Sequence, residues 1–274
     1  MVVTDFEDIK TKLEILESRM SEMEYLLNAY LPFSIEKLLE VRGLKVVRTA
    51  EKKYFYGEDY LFELFKSYYF RRIFHDILTL EVIDGKAIEK LSKKWGDSVT
   101  KELKLLTMLK FVRRTKEDTF VSNYPVSYLG ELLEWFVGKF LGDVLHLEVM
   151  MGVKMSGLDN GGDVDLLSRI GTKLIAIECK ESPPNNVPVS EMQAILFRKT
   201  KIKPDIFIFL IDTTLSVKRN ILDNLMWITR SKYRKIHQGV YEFDDKLFVV
   251  SAKRSLLRNL EVAIREGING LWCH

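Results

Sequence analysis

Asp163, Asp165, Glu178 and Lys180 are the residues whose types and spacing point to chemistry. They lie in the stretch GGDVDLLSRIGTKLIAIECKES, from Gly161 to Ser182, which otherwise alternates like β-strands. Strand side chains repeat every two residues, so Asp163 and Asp165 share one face of the first strand, and Glu178 and Lys180 share one face of the second. The turn at Gly171-Thr172 folds the two strands into a hairpin and brings the pairs together. Carboxylates on neighbouring strands repel one another and are driven toward protonation unless positive charge lies between them. A hard divalent cation with oxygen ligands answers that need, and Lys180 alone neutralises only part of the charge.

The pattern resembles the PD-(D/E)xK nuclease superfamily: Asp165, twelve intervening residues, then Glu178-Cys179-Lys180. Similar strings at Asp8-Ile9-Lys10, Glu51-Lys52-Lys53, Glu102-Leu103-Lys104 and Asp244-Asp245-Lys246 read as solvated faces. Only the copy at Glu178 ends an apolar β-run and follows a Gly-Gly-Asp-x-Asp strand. The resemblance implies Mg²⁺ (or Mn²⁺) held by Asp165, Glu178 and the backbone carbonyl of Cys179, with Asp163 as a further ligand or as an outer group that takes a metal-bound water. It also implies that Lys180 orients the attacking water and contacts the phosphate. In several branches a glutamate on the first helix reaches the site. Here Glu134 lies at the edge of that helix's apolar stripe, whereas Glu131 points almost opposite. Gln193, on the helix after the triplet, resembles a glutamine that other branches place near the scissile phosphate.

These residues need a scaffold, and its order is legible. Ser127 is a candidate N-cap for a helix from Tyr128 to about Leu141, stopped by Gly142. Leu145 to Met155 reads as a long strand bulged at Gly152, leading to the turn SGLDNGG and the two charged strands. Pro183, Pro184 and Pro188 bracket a loop. Ser190 then caps a helix to about Lys201, and Ile206 to Ile211 reads as a fully buried strand. A helix over about 216–236, a strand over about 246–251 and a helix over about 255–266 complete an α/β domain over 123–274. Its αβββαβ order is that of a restriction-endonuclease-like core.

Two further segments precede it. Phe6, Ile9, Leu13, Leu16, Met20, Met23, Leu27 and Tyr30 recur at spacings 3, 4, 3, 4, 3, 4, 3, an a/d seam that Pro32 ends. Residues 1–31 are therefore expected to form a coiled coil that joins two copies into a homodimer. Residues 32–122 are expected to form a mainly helical winged helix-turn-helix-like domain: a helix near Glu58 to Leu80, a short helix ended by Gly96, a recognition helix capped by Ser98, and a wing around Lys116-Glu117-Asp118. Between Lys86 and Lys116 there are ten Lys/Arg against three Asp/Glu, an excess that suits a phosphate backbone. Lys101 and Lys104 on the recognition helix, with Arg113, Arg114 and Lys116 on the wing, are the candidate DNA contacts. A winged helix used only for protein contacts is the alternative.

Composition sets the outer bounds. The chain has 274 residues, 47% of them apolar, with no transmembrane-length run and no secretory pattern, so a soluble cytoplasmic protein is expected. Two cysteines, Cys179 and Cys273, form no thiolate metal set. A net charge of +3 leaves nucleic-acid binding to local patches. The reading that joins all three segments is a metal-dependent DNA endonuclease. Its alternative is a dimeric DNA-binding or regulatory protein that keeps the scaffold without cutting, and the catalytic motif does not by itself separate DNA from RNA.

Overall fold

The structure, a computed structural model, describes residues 34–50, 55–115, 119–124, 128–156 and 163–269, with residues 10, 12, 16 and 18–20 of the N-terminal segment. The a/d seam lies outside the described residues except for Leu16 and Met20, both exposed. Ser127, the SGLDNGG turn from Gly157 and the wing tip with Lys116 also lie outside them.

An eight-stranded mixed sheet forms the centre of the molecule, in the order β1-β5-β6-β7-β8-β11-β10-β9. Its strands are β1 (Lys45–Arg48), β5 (Glu148–Ser156), β6 (Val164–Ile170), β7 (Lys173–Lys180), β8 (Ile206–Ile211), β9 (Arg234–His237), β10 (Val240–Phe243) and β11 (Leu247–Ser251). β5, β6 and β7 run as an antiparallel meander, whereas β7, β8 and β11 are parallel neighbours. Parallel strands need a crossover, and helix α7 (Val189–Ile202) supplies it between β7 and β8. Every residue of β8 is buried, as its continuous apolar sequence IFIFLI requires for a strand covered on both faces.

Alternation along the strands divides the core in two. Leu166, Ile175 and Ile177 face one side, where helices α6 (Tyr128–Lys139) and α9 (Leu256–Asn269) pack. Leu167, Leu174 and Ala176 face the other, covered by α1 (Ile35–Val41), α7 and α8 (Asp223–Thr229). Helix α6 lies close against the meander because position 138 is glycine. A Cβ there would fall 2.7 Å from Met151 Sδ and 3.2 Å from Leu166 Cδ2, closer than packed atoms allow.

The helical unit before α6 contains α2 (Glu58–Phe65), α3 (Tyr68–Leu78), α4 (Gly85–Trp95) and α5 (Ser98–Met108). A small sheet of order β2-β4-β3 completes it, from β2 (Val82–Ile83), β3 (Val112–Arg114) and β4 (Phe120–Ser122). Its phenylalanines and leucines run without interruption into those of α6, so the unit and the large sheet share one continuous core.

Several expectations are corrected. The helix expected over 58–80 is two helices, because Ser67 Oγ accepts the Phe70 N–H and starts α3 afresh. Residues 35–48 belong to the large sheet and not to the helical unit: β1 pairs with β5, with Lys45 opposite Ser156. The helix expected over 216–236 ends at Thr229, where Arg230 adopts a left-handed conformation (φ 56°), and the chain turns into the β9–β10 hairpin at Gly239 (φ 90°). The first helix does not stop at Gly142 but continues through a π turn over Phe140–Val144. Pro188, not Ser190, occupies the N-cap position of α7.

One ion pair fastens the helical unit to the sheet. Arg71 of α3 donates from Nε and Nη2 to the two carboxylate oxygens of Asp212 at 2.7 Å, and both side chains are 5% exposed. The same guanidinium donates to the Phe65 carbonyl and packs against the Phe136 ring. Replacing Arg71 by Met strands a buried carboxylate, so Arg71→Met is expected to lower unfolding free energy by about 3–5 kcal/mol. The double variant Arg71→Met/Asp212→Leu is expected to recover most of that loss in urea denaturation. Equal stability of the two variants would show that the pair does not fasten the units.

Candidate functional site

The register of the β6–β7 hairpin sets Leu166 opposite Ile177 and Leu167 opposite Ala176, which places Asp165 beside Glu178 on the α7 side of the sheet. Asp165 Oδ2 accepts the Cys179 backbone N–H at 2.7 Å, a tie across the hairpin. Glu178 is 1% exposed, and both its oxygens are taken: Arg198 donates from Nε and Nη2, each at 2.7 Å. Lys180 Nζ lies 2.5 Å from Glu191 Oε1. Arg198 and Glu191 stand seven residues apart on α7, two turns of helix, and so present the two counter-charges from one helix face.

The electrostatics follow from burial and adjacency. Burial and the neighbouring Glu178 charge push the Asp165 carboxyl up to about 7, against the opposing pull of the Cys179 N–H. Burial also raises Glu178, while the Arg198 hydrogen bonds oppose it. For Lys180 burial acts downward, but its bond to Glu191 and the charges of Asp165 and Glu178 outweigh it and raise its pKa. Burial lifts the Cys179 thiol well above its ordinary value, which leaves it an inert apolar contact.

A cleft of about 580 Å³ opens where the meander meets the helices. Asp165, Lys180 and Glu181 line it from the sheet, Gly130, Leu133 and Glu134 from α6, and Arg72 and His75 from α3. Burial, followed by the Asp212 charge, pushes Glu181 up to about 8. Burial and then Arg72 hold His75 below its ordinary value.

The sequence-derived residues distribute unevenly about this cleft. Asp165, Cys179, Lys180 and Glu134 line it, and Glu178 lies buried beside Asp165. Glu131 is not among the lining residues. Gln193 is exposed on α7 and does not line the cleft either. Asp163 is half-exposed before β6, with Arg48 of β1 at 3.6 Å. Lys101 and Lys104 are exposed on α5, and Arg113 and Arg114 on β3. Sequence reading missed Arg198, Glu191, Arg72, His75 and Glu181. A signal existed for the first two: a buried acid at the end of an apolar strand requires a cation, and α7 carries Glu191 and Arg198 on the stripe of Ile195 and Ile202.

Among the described residues no group of three or more His, Cys, Asp and Glu side chains is arranged to hold a metal. Among the same residues no helix is long and apolar enough to cross a membrane.

No protein-family model and no curated protein matches the sequence. Solved structures similar in fold include the following two. Protein VC1899 from Vibrio cholerae aligns with a TM-score of 0.51 and 13% identity over 85% of this chain. Can2 from Sulfobacillus thermosulfidooxidans, in complex with cyclic tetra-adenylate, aligns with a TM-score of 0.50 and 13% identity over 86%. The chain spans 62% and 61% of those two longer proteins, and the likeness is one of mixed α/β fold.

The raised Asp165 carboxyl has a thermodynamic consequence. Between the ordinary carboxylate pKa near ~3.9 and about 7, the folded chain keeps a proton that the unfolded chain has released, so this residue's contribution falls as pH rises through that window. Asparagine carries no such charge. Asp165→Asn is therefore expected to stabilise the protein by about 1–3 kcal/mol near pH ~8, with the gain vanishing toward pH ~4. Thermal melts across that range read it out, and a gain that grows toward low pH would contradict the assignment.

Proposed function

We propose that this protein hydrolyses phosphodiester bonds in nucleic acid, DNA foremost, at a PD-(D/E)xK-like site formed by Asp165, Glu178 and Lys180. The observation that carries the reading is the adjacency of Asp165 and Glu178 across the β6–β7 hairpin, with Lys180 two residues on and opening into the same cleft. An acid pair of this kind has no packing purpose, since burial of two like charges opposes folding.

The donor set suits Mg²⁺ or Mn²⁺. The Arg198 guanidinium on both Glu178 oxygens marks where positive charge already meets the acid pair, and an ion entering there would share Glu178 with it. Asp165, Glu178 and the Cys179 carbonyl would hold the ion, which when bound supplies charge stabilisation to the phosphoryl oxygens and a more acidic water. The chain's own residues do the rest. Lys180, held by Glu191 at the cleft wall, presents an ammonium to the attacking water and the phosphate. Glu134 lines the same cleft from α6, and on this reading it would accept a hydrogen bond from that water.

The helical unit supports a docking role. From α3 onward its order of helix, strand, two helices and a two-strand wing agrees with a winged helix, and α5 and β3 expose Lys101, Lys104, Arg113 and Arg114. A second reading, a nucleic-acid-binding protein that does not cut, is favoured by the pairing of Glu178 and Lys180 with α7 side chains.

Cleavage assays across duplex, single-stranded, flap and four-way junction DNA, with RNA alongside, test the proposal. Asp165→Ala, Glu178→Gln and Lys180→Ala are each expected to abolish Mg²⁺- or Mn²⁺-dependent cutting, while Asp163→Ala has a milder effect. Cutting retained by Asp165→Ala overturns the site. Neutralising Lys101, Lys104, Arg113 and Arg114 together is expected to weaken duplex binding and to remove roughly 0.9 of the log-log salt slope per lost phosphate contact, with cleavage persisting at saturating substrate. An unchanged slope would move docking to another surface, with Arg230, Lys232, Arg234 and Lys235 the next candidates.

A further inference from the structure

Arg72 is the unusual cation of the cleft. The cations around the cleft and the junction behind it have partners: Arg71 binds Asp212, Arg198 binds Glu178, Lys180 binds Glu191, and Lys139 lies among Glu58, Asp59 and Asp143. No hydrogen bond or ion pair joins the Arg72 guanidinium to another described residue, although it lies in the fields of Glu181, Asp76 and His75. It is half-buried, lines the cleft, and leaves its forked N–H donors unspent. A planar guanidinium with unspent donors at a cleft wall matches the two-oxygen edge of a phosphate better than a water-filled gap would.

Its position is fixed relative to the acid pair. The neighbouring Arg71 is clamped by Asp212, and the backbone N–H of Asp212 donates to the Lys180 carbonyl at 2.7 Å. The wall that carries Arg72 is thus tied to the strand end that carries Lys180. His75, one turn along the same helix face, joins Arg72 in lining the cleft.

We propose that Arg72 is a substrate-binding residue supplied by the helical unit, which grips a phosphate of the nucleic-acid strand in the cleft opposite Asp165 and Lys180. This deepens the hydrolase reading and rests on it for the identity of the anion. It makes the cleft composite: acid pair and ammonium from the sheet, phosphate clamp from α3.

The test uses the full chain in an Asp165→Asn background, so that binding is read without turnover. The probe is a fluorescein-labelled splayed DNA duplex with single-stranded arms, followed by anisotropy over a range of salt. Arg72→Gln is expected to weaken binding roughly tenfold and to make the log-log salt slope shallower by about 0.7–0.9, the share of one phosphate contact. Arg72→Lys keeps the charge and is expected to keep the slope while losing part of the affinity. Melting midpoints of both variants should match the parent, because Arg72 carries no ion pair within the described residues. Unchanged affinity and slope in Arg72→Gln overturn the proposal. So do equal losses in both variants accompanied by a lowered midpoint, which would mark a role in folding alone. Cleavage by the chain with native Asp165 separates the two readings. If it cuts nothing while Arg72→Gln still sheds the slope, hydrolysis fails and the phosphate clamp stands. If it cuts and Arg72→Gln binds and cuts equally well, the clamp fails and hydrolysis stands.

Discussion

Arg71 and Asp212 are nearly excluded from water, and neither charge could remain there without the other. Their two parallel hydrogen bonds are geometrically exacting, because a guanidinium meets a carboxylate edge to edge in one plane. One partner sits on α3 and the other follows β8, so the pair fixes the helical unit in both position and rotation. Apolar packing between the unit and the sheet supplies most of the attraction, but it is non-directional and tolerates sliding. The ion pair does not. Since Asp212 also bonds through its backbone to Lys180, the relation between the two walls of the cleft is set at a single buried junction.

The charges on the sheet obey the same accounting on a smaller scale. Asp165 and Glu178 lie side by side where both are mostly buried, and their repulsion is relieved from α7 by Arg198 and across the hairpin by the Cys179 N–H. The relief is lopsided: Glu178 receives a full guanidinium, whereas Asp165 receives one amide dipole and stays poised near neutrality. Additional positive charge nearer Glu178 must share that carboxylate with Arg198.

The parts of this site that were legible in the sequence are those fixed by local periodicity. Period two along β6 and β7 puts Asp165, Glu178 and Lys180 together, and the apolar run IFIFLI can only be a buried strand. The lateral position of Glu134 on α6 followed from period 3.6 in the same way. What was illegible is the set of long-range pairings. Nothing near Arg198 in the chain marks it as the partner of a residue twenty positions earlier, and Arg71 and Arg72 are adjacent yet one is buried in an ion pair and the other faces the cleft. Residues 230–236, which lead into β9, were read as helix because residues 216–236 carry an amphipathic spacing. The left-handed turn at Arg230, a residue with no intrinsic preference for it, is imposed by tertiary packing. Likewise β1 is a short edge strand whose partner, β5, lies about a hundred residues on, beyond the reach of any local pattern.

That division between local and long-range information bears on how the cleft works. The sheet residues read from periodicity form a charge pattern common to any acid pair on a hairpin, whereas Arg72, His75 and Glu181 enter because of the junction between units. The acid pair is therefore fixed by a local motif, and the enclosure around it by tertiary structure. The cleft at Lys180 is bordered by α3, where Arg72 has donors to offer and no partner among the described residues. The exposed Lys101, Lys104, Arg113 and Arg114 on α5 and β3 belong to the same helical unit as that guanidinium, since α3 packs with α5 in one core. The exposed basic face and the cleft wall that carries Arg72 are thus joined through α3.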